Sequence, residues 1–108
     1  MDRLKILKAA RAKITKPERW TKGEIARNAA GKEVSPRSKE AVCWCALGAL
    51  QAAAGKKCSF IEIDDLAYEL TPRWTWIAKV NDHKDTTHAD ILALFDRAIA
   101  AEKAKVLA

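Results

Sequence analysis

A chain of 108 residues with a formal net charge of +6 has room for one small domain and excludes the large multi-domain architectures. Hydrophobic residues make up 49% of it, but of the 53 in that class 21 are alanine, so 32 larger apolar side chains must build the core. Alanine is the best helix former and adds little burial, which points to a small helical core.

The charge is unevenly placed. Residues 1 to 57 carry 14 Lys or Arg against 5 Asp or Glu, whereas residues 58 to 108 carry 6 against 9. A positive excess of this kind favours acidic partners: nucleic acid, acidic lipid or an acidic protein surface. The structural alternative is that the basic and acidic halves pack on one another. No stretch approaches the roughly 18 apolar residues that span a bilayer. The opening MDRLKILKAARAK interleaves Lys and Arg with apolar residues instead of leading into a signal-peptide core, so a cytoplasmic protein without membrane association is expected. Three cysteines, an odd number, fit reduced thiols better than a disulfide framework.

From Asp2, a capping residue, the segment DRLKILKAARAKI places Leu4, Leu7 and Ile14 on one helical stripe, and Pro17 ends that helix. The next stretch, WTKGEIARNAAGKEV, contains the turn-like Asn28-Ala29-Ala30-Gly31, and predicts a short β-hairpin with Gly31 supplying a positive φ. Ser35-Pro36 reads as a helix start, and SKEAVCWCALGALQAAAG carries helical composition to a stop at Gly55. Between Ala41 and Ala54 only Gln51 is clearly polar, so this is expected to be the central helix, surrounded by the others.

Ser59-Phe60-Ile61-Glu62 has capping-box spacing, with Ile63, Leu66, Ala67 and Leu70 following at helical intervals before Pro72. Thr71-Pro72 restarts a short helical piece through Trp74, Trp76, Ile77 and Val80, which Asn81 is expected to close in a left-handed cap. After the polar loop NDHKDT, Thr87 with Asp90 opens a last helix. Its apolar face is Ile91, Leu92, Phe95, Ala98, Ile99 and Val106, and its tail, AEKAKVLA, is expected to fray. The prediction is a mainly α, single domain over residues 1–108, of about five helices with one central buried helix and a short β-hairpin after the first.

Few residues offer chemistry. Read on a helix, Cys43 and Cys45 point about 200° apart and cannot share an ion or close a disulfide. With two histidines and no Cys-x-x-Cys pair, neither a metal nor a cofactor is expected. A single activated thiol remains as a catalytic reading, with Cys45 as nucleophile, His88 as base and Asp82 or Asn81 as orienting group. Against it, a cysteine within an apolar helix is ordinarily a buried, inert core residue, and Asn81-Asp82 reads equally well as turn chemistry. Asp96, beside core residue Phe95, is placed to pair with a basic residue of the N-terminal half. The basic segment around the hairpin offers Arg19, Trp20, Lys22, Arg27 and Lys32 as partner-binding residues, with cations for phosphates and an indole for stacking. Tryptophans in a small domain are also packing anchors, and no helix-turn-helix, zinc-finger or RNA-recognition signature accompanies the charge.

Three stretches, WTKGEIARNAAGKEV, AVCWCALGAL and NDHKDTTHADILALFDRAIA, together resemble an uncharacterised family of small bacterial and phage proteins, a domain of unknown function. The matching positions are Trp20 and Gly23, Ala26 to Gly31, Trp44, Cys45, Gly48 and Ala49, Asn81 and Asp82, Thr87, and Phe95 to Ile99; Val80 stands where the family usually has Trp. The resemblance implies an intracellular, largely helical domain and no particular activity. It singles out Trp44, Cys45, Asn81 and Asp82, which fit equally the seams where helices and hairpin meet. It also implies a phage or mobile-element setting, in which the partner is a host protein or nucleoprotein that the module inhibits or modulates. The leading expectation is thus a non-catalytic binding module that presents its basic hairpin face to a macromolecular partner. Direct nucleic-acid binding and a cysteine-dependent enzyme using Cys45, His88 and Asp82 are the alternatives.

Overall fold

In a computed structural model, which describes residues 2–71 and 75–107, the described chain forms five α-helices and one two-stranded sheet. The first helix, α1 (Arg3–Lys13), starts at Asp2, whose carboxylate accepts from the Lys5 N–H, and closes at Ile14, well before Pro17 opens a single 3₁₀ turn over Pro17–Arg19. The antiparallel sheet after it pairs β1 (Ala26–Arg27) with β2 (Cys43–Trp44), in register Ala26 to Trp44 and Arg27 to Cys43.

The turn between residues 28 and 31 forms where its sequence places it. Gly31 has φ +79°, its N–H donates to the Asn28 carbonyl, and the Asn28 side chain accepts from the Ala30 and Lys32 N–H groups. The returning arm touches β1 only through Val34 N–H to Ala26 O and a lone Arg27–Glu33 bridge. The second strand comes instead from residues expected to be helical. Ser35-Pro36 makes a turn, closed by Ser38 N–H on Ser35 O, and the helix α2 (Ala46–Ala54) begins ten residues later than its composition indicates. Cys43 and Trp44 suit a pleated, half-buried surface, and pairing with β1 outweighs their helical context.

α2 is the central helix, with Ala46 to Leu50 all buried, packed against α1, α3 (Phe60–Ala67) and α4 (Ile77–Asp82). α1 in turn packs against α5 (His88–Leu107). Leu7, Ile14, Leu50, Ile63, Leu66, Leu70, Ile77, Ile91 and Phe95 are fully buried, and burial of each such side chain contributes about 1.5–3 kcal/mol. The Ser59–Glu62 capping box of α3 and the reciprocal Thr87–Asp90 pair at the start of α5 are both present. Gly55 ends α2 with φ +70°.

Three expectations are corrected. Asn81 is no left-handed cap: it lies inside α4, and no residue other than glycine has a positive φ among the described residues. Val106 is 70% exposed, and the last buried position of α5 is Glu102, held by Arg3 at 3.3 Å and Lys105 at 3.4 Å. The tail stays helical to Leu107. The helical piece expected to begin at Thr71-Pro72 falls partly on residues 72 to 74, outside the described residues; the described part, α4, begins at Ile77.

Candidate functional site

The residues singled out by sequence converge where the segment after α1, the start of α2 and α4 meet. Asn81 is fully buried at the centre. Its Oδ1 accepts from the Trp20 indole N–H (2.7 Å) and from the Ala46 N–H (3.0 Å), and its Nδ2 donates to Thr21 O and Asp82 Oδ1 (3.0 Å each). All four hydrogen-bonding positions of the carboxamide are therefore in use. The Ala46 N–H is one of the unpaired donors of the first turn of α2, so a side chain from α4 caps α2 across the core. Asp82 continues the chain of contacts by accepting from the Gly23 N–H at 2.9 Å.

The same seam explains the other motif positions. Cys45 is the N-cap of α2: its thiol sulfur accepts from the Gly48 N–H at 3.3 Å and its own N–H donates to Ile25 O. Gly48 lies against Ile25 so closely that a Cβ would run into the Ile25 carbonyl and stand 2.9 Å from its Cγ2. The Trp44 indole donates to Pro36 O at 2.9 Å, and its ring carries Lys13 Nζ 4.9 Å from the centroid.

For the catalytic reading, Cys45, His88 and Asp82 do not form a hydrogen-bonded triad among the described residues. Cys45 is 4% exposed, and burial pushes its thiol pKa up, against the opposing effect of the Gly48 N–H. His88 Nε2 donates to the Ile14 carbonyl at 2.6 Å, and its ring lies 5.8 Å from that of Trp20. Asp82 and Cys45 both line a shallow groove of about 310 Å³, which His88 does not line. Cys43 sits on β2 and is partly exposed; what separates it from Cys45 is the strand-to-helix junction, not opposite faces of one helix. Among the described residues no group of three or more His, Cys, Asp or Glu is placed to hold a metal ion.

The basic segment divides into internal and outward groups. Arg27 is a clamp: its guanidinium donates to Thr21 Oγ1, Gly31 O and Lys22 O. Trp20 is tied to Asn81, with Lys22 Nζ 5.5 Å from its ring centroid, and Lys22 itself donates to His83 O at 2.7 Å. Arg37 donates to Gln51 O and Gly55 O at the C-terminus of α2, where a cation complements the helix dipole. Lys16, Arg19, Lys32 and Lys39 remain exposed, and their side chains make no hydrogen bond or ion pair among the described residues. Val42, 43% exposed, borders two shallow grooves. One, about 320 Å³, is lined by Lys16, Glu18, Arg19 and Ala41; the other, about 430 Å³, by Asn28, Ala29, Ala30, Lys39 and Glu40.

A family model described as a family of unknown function (DUF6197) matches residues 2–101. The chain belongs to this family. No curated protein and no solved structure matches it. In this DUF6197 chain no helix among the described residues is long and apolar enough to cross a membrane. Of the motif residues, Trp20, Gly23, Asn81 and Asp82 are joined by the contacts above, as are Cys45 and Gly48, and Trp44 joins them through a backbone bridge to Trp20. Sequence reasoning missed the role of Asn81 as the buried hub; the signal available was an Asn-Asp pair between two apolar segments, which turn chemistry explains equally well.

Proposed function

We propose that this chain is a non-catalytic binding module that presents Lys16, Arg19, Lys32 and Lys39, together with Val42, to an acidic surface of a partner protein. The observation that carries this reading is the division of the basic segment: the clamped cations hold the fold, while these four are exposed without a partner among the described residues, and Lys16, Arg19 and Lys39 line the grooves that the exposed Val42 borders. An interface of this composition joins an apolar centre to a polar rim. Two features favour a protein over a nucleic acid. The Trp20 indole is hydrogen-bonded to Asn81 and its ring is engaged by Lys22 and His88, which disfavours it as a stacking platform, and Glu18 and Glu40 line the same grooves, which a run of phosphates would meet unfavourably. The buried thiol of Cys45 and the engagement of His88 elsewhere support the non-catalytic part of the reading.

The test pairs the wild-type chain with Arg19→Glu/Lys32→Glu, whose changes fall on exposed side chains. On a column loaded with source-cell extract, the wild type is expected to retain a discrete protein that the variant loses, with unchanged circular dichroism for both. Labelled single- and double-stranded oligonucleotides are expected not to bind at 20 or 200 mM salt. Nucleic-acid binding that falls steeply with salt and weakens in the variant would replace this reading with direct nucleic-acid recognition.

A further inference from the structure

The shallow groove beside the seam has a composition opposite to that of the basic face. Its walls are apolar, from Ile25, Cys45, Leu47, Ala78 and the half-buried indole of Trp76, and its rim carries the carboxylates of Glu24 and Asp82. The Glu33 side chain stands close enough to Glu24 that, with desolvation and the charge of Asp82, it pushes the Glu24 pKa up, so a third carboxyl group lies beside the rim. Arg27 opposes that rise, but its guanidinium is spent on Thr21, Gly31 and Lys22. The groove thus combines a half-buried indole, which Tyr68 meets edge-on at 5.6 Å between ring centroids, an apolar floor and carboxyl groups at the rim.

We infer that this groove receives an arginine side chain of a partner polypeptide, its alkyl stem on Ile25 and Leu47 and its guanidinium between Trp76 and the carboxylates of Glu24 and Asp82. Charge complementarity selects a cation. The indole and the paired carboxylates favour a planar guanidinium, which stacks on an aromatic face and bonds carboxylates through two N–H groups, over a compact ammonium. Asp82 Oδ1 is occupied by the Gly23 and Asn81 N–H groups, which fixes the carboxylate and leaves Oδ2 for the ligand. The inference does not depend on the basic face: either could fail without the other.

The experiment is a titration of the ¹⁵N-labelled full chain with N-acetyl-arginine amide, and separately with N-acetyl-citrulline amide, its uncharged near-isostere. Arginine is expected to move the Gly23, Ile25 and Ala78 amides and the Trp76 indole N–H in a saturable manner, with citrulline at least about tenfold weaker because the charged hydrogen bonds are lost. Glu24→Gln, a change at a position outside the core, is expected to weaken arginine binding while leaving the rest of the spectrum in place. Lysine amide in place of arginine tests the preference for a planar group and is expected to bind more weakly. Equal shifts with arginine and citrulline, shifts scattered over the surface, or binding unchanged in Glu24→Gln would each overturn the inference.

Discussion

Replacing Asn81 with alanine removes a buried side chain whose hydrogen bonds join the loop after α1 to the start of α2. The cost can be assembled from its contacts. The Ala46 N–H is left as a buried donor without a partner, a loss of about 1–3 kcal/mol, and the half-buried Trp20 indole N–H loses its acceptor for about 1 kcal/mol. The vacated carboxamide volume adds about 1 kcal/mol. Thr21 O and Asp82 Oδ1 lie nearer solvent and regain water, so they contribute little. The total is about 3–5 kcal/mol, against the roughly 5–15 kcal/mol that holds a typical domain folded. At about 4–8 °C per kcal/mol for a domain of this size, the melting midpoint should fall by about 12–40 °C. Urea denaturation followed by tryptophan fluorescence measures the loss. A cycle with Trp20→Phe, which deletes the indole N–H and keeps most of the ring, should show a coupling of about 1 kcal/mol between the two positions. An Asn81→Ala loss below about 1 kcal/mol, or strictly additive single changes, would refute the assignment of Asn81 as the hub.

Gly48→Ala should destabilise by about 1–3 kcal/mol, because the new methyl meets the Ile25 backbone, although Gly to Ala within a helix ordinarily gains up to about 1 kcal/mol; a gain in the urea midpoint would show that the β1 approach can yield. Cys43 and Cys58, both partly exposed, should react with a thiol reagent in the native state, and Cys45 only at the rate of unfolding, read by mass spectrometry of timed samples. Labelling of Cys45 as fast as the other two would restore the case for a reactive thiol. Hydrogen bonds from the Thr87 backbone N–H and hydroxyl hold the Asp90 carboxyl below its ordinary value of 3.8. The ionised group therefore adds stability above that value, and the contribution is lost as pH falls through the lower folded-state pKa. The difference in urea midpoint between wild type and Asp90→Asn should shrink on acidification from pH 5 to pH 3, and a difference independent of pH would remove Asp90 from the acid sensitivity.

Local chemistry was legible where a single residue and its near neighbours decide the outcome. Asp2, Ser59–Glu62 and Thr87–Asp90 cap helices as their spacing requires, and Gly31 takes the positive φ of its turn. Asp96 pairs with Arg11 of the basic half at 3.0 Å, as its position beside Phe95 indicated. What was not legible depends on partners distant in sequence. Nothing within residues 35–55 shows that Cys43 and Trp44 will pair with Ala26 and Arg27 instead of extending a helix, because that pairing is decided by a strand about 17 residues away. Asn81 reads as a cap from its neighbours and becomes a hub only through Trp20 and Ala46, which lie 61 and 35 residues from it in sequence.

This distance dependence also changes how the basic segment must be tested. Composition alone gives Trp20, Lys22 and Arg27 the same standing as Arg19 and Lys32, yet the first three close contacts that hold the segment on α4 and on its own turn. Neutralising Arg27 releases three hydrogen bonds at once, so lost partner binding in that variant would report a loosened loop as readily as a lost contact. Substitutions at Arg19 and Lys32 leave those bonds intact and separate the two causes. A partner-binding defect confined to Arg27 and Trp20 variants, with Arg19 and Lys32 variants unaffected, would place the role of this segment in the fold and move the interaction surface elsewhere.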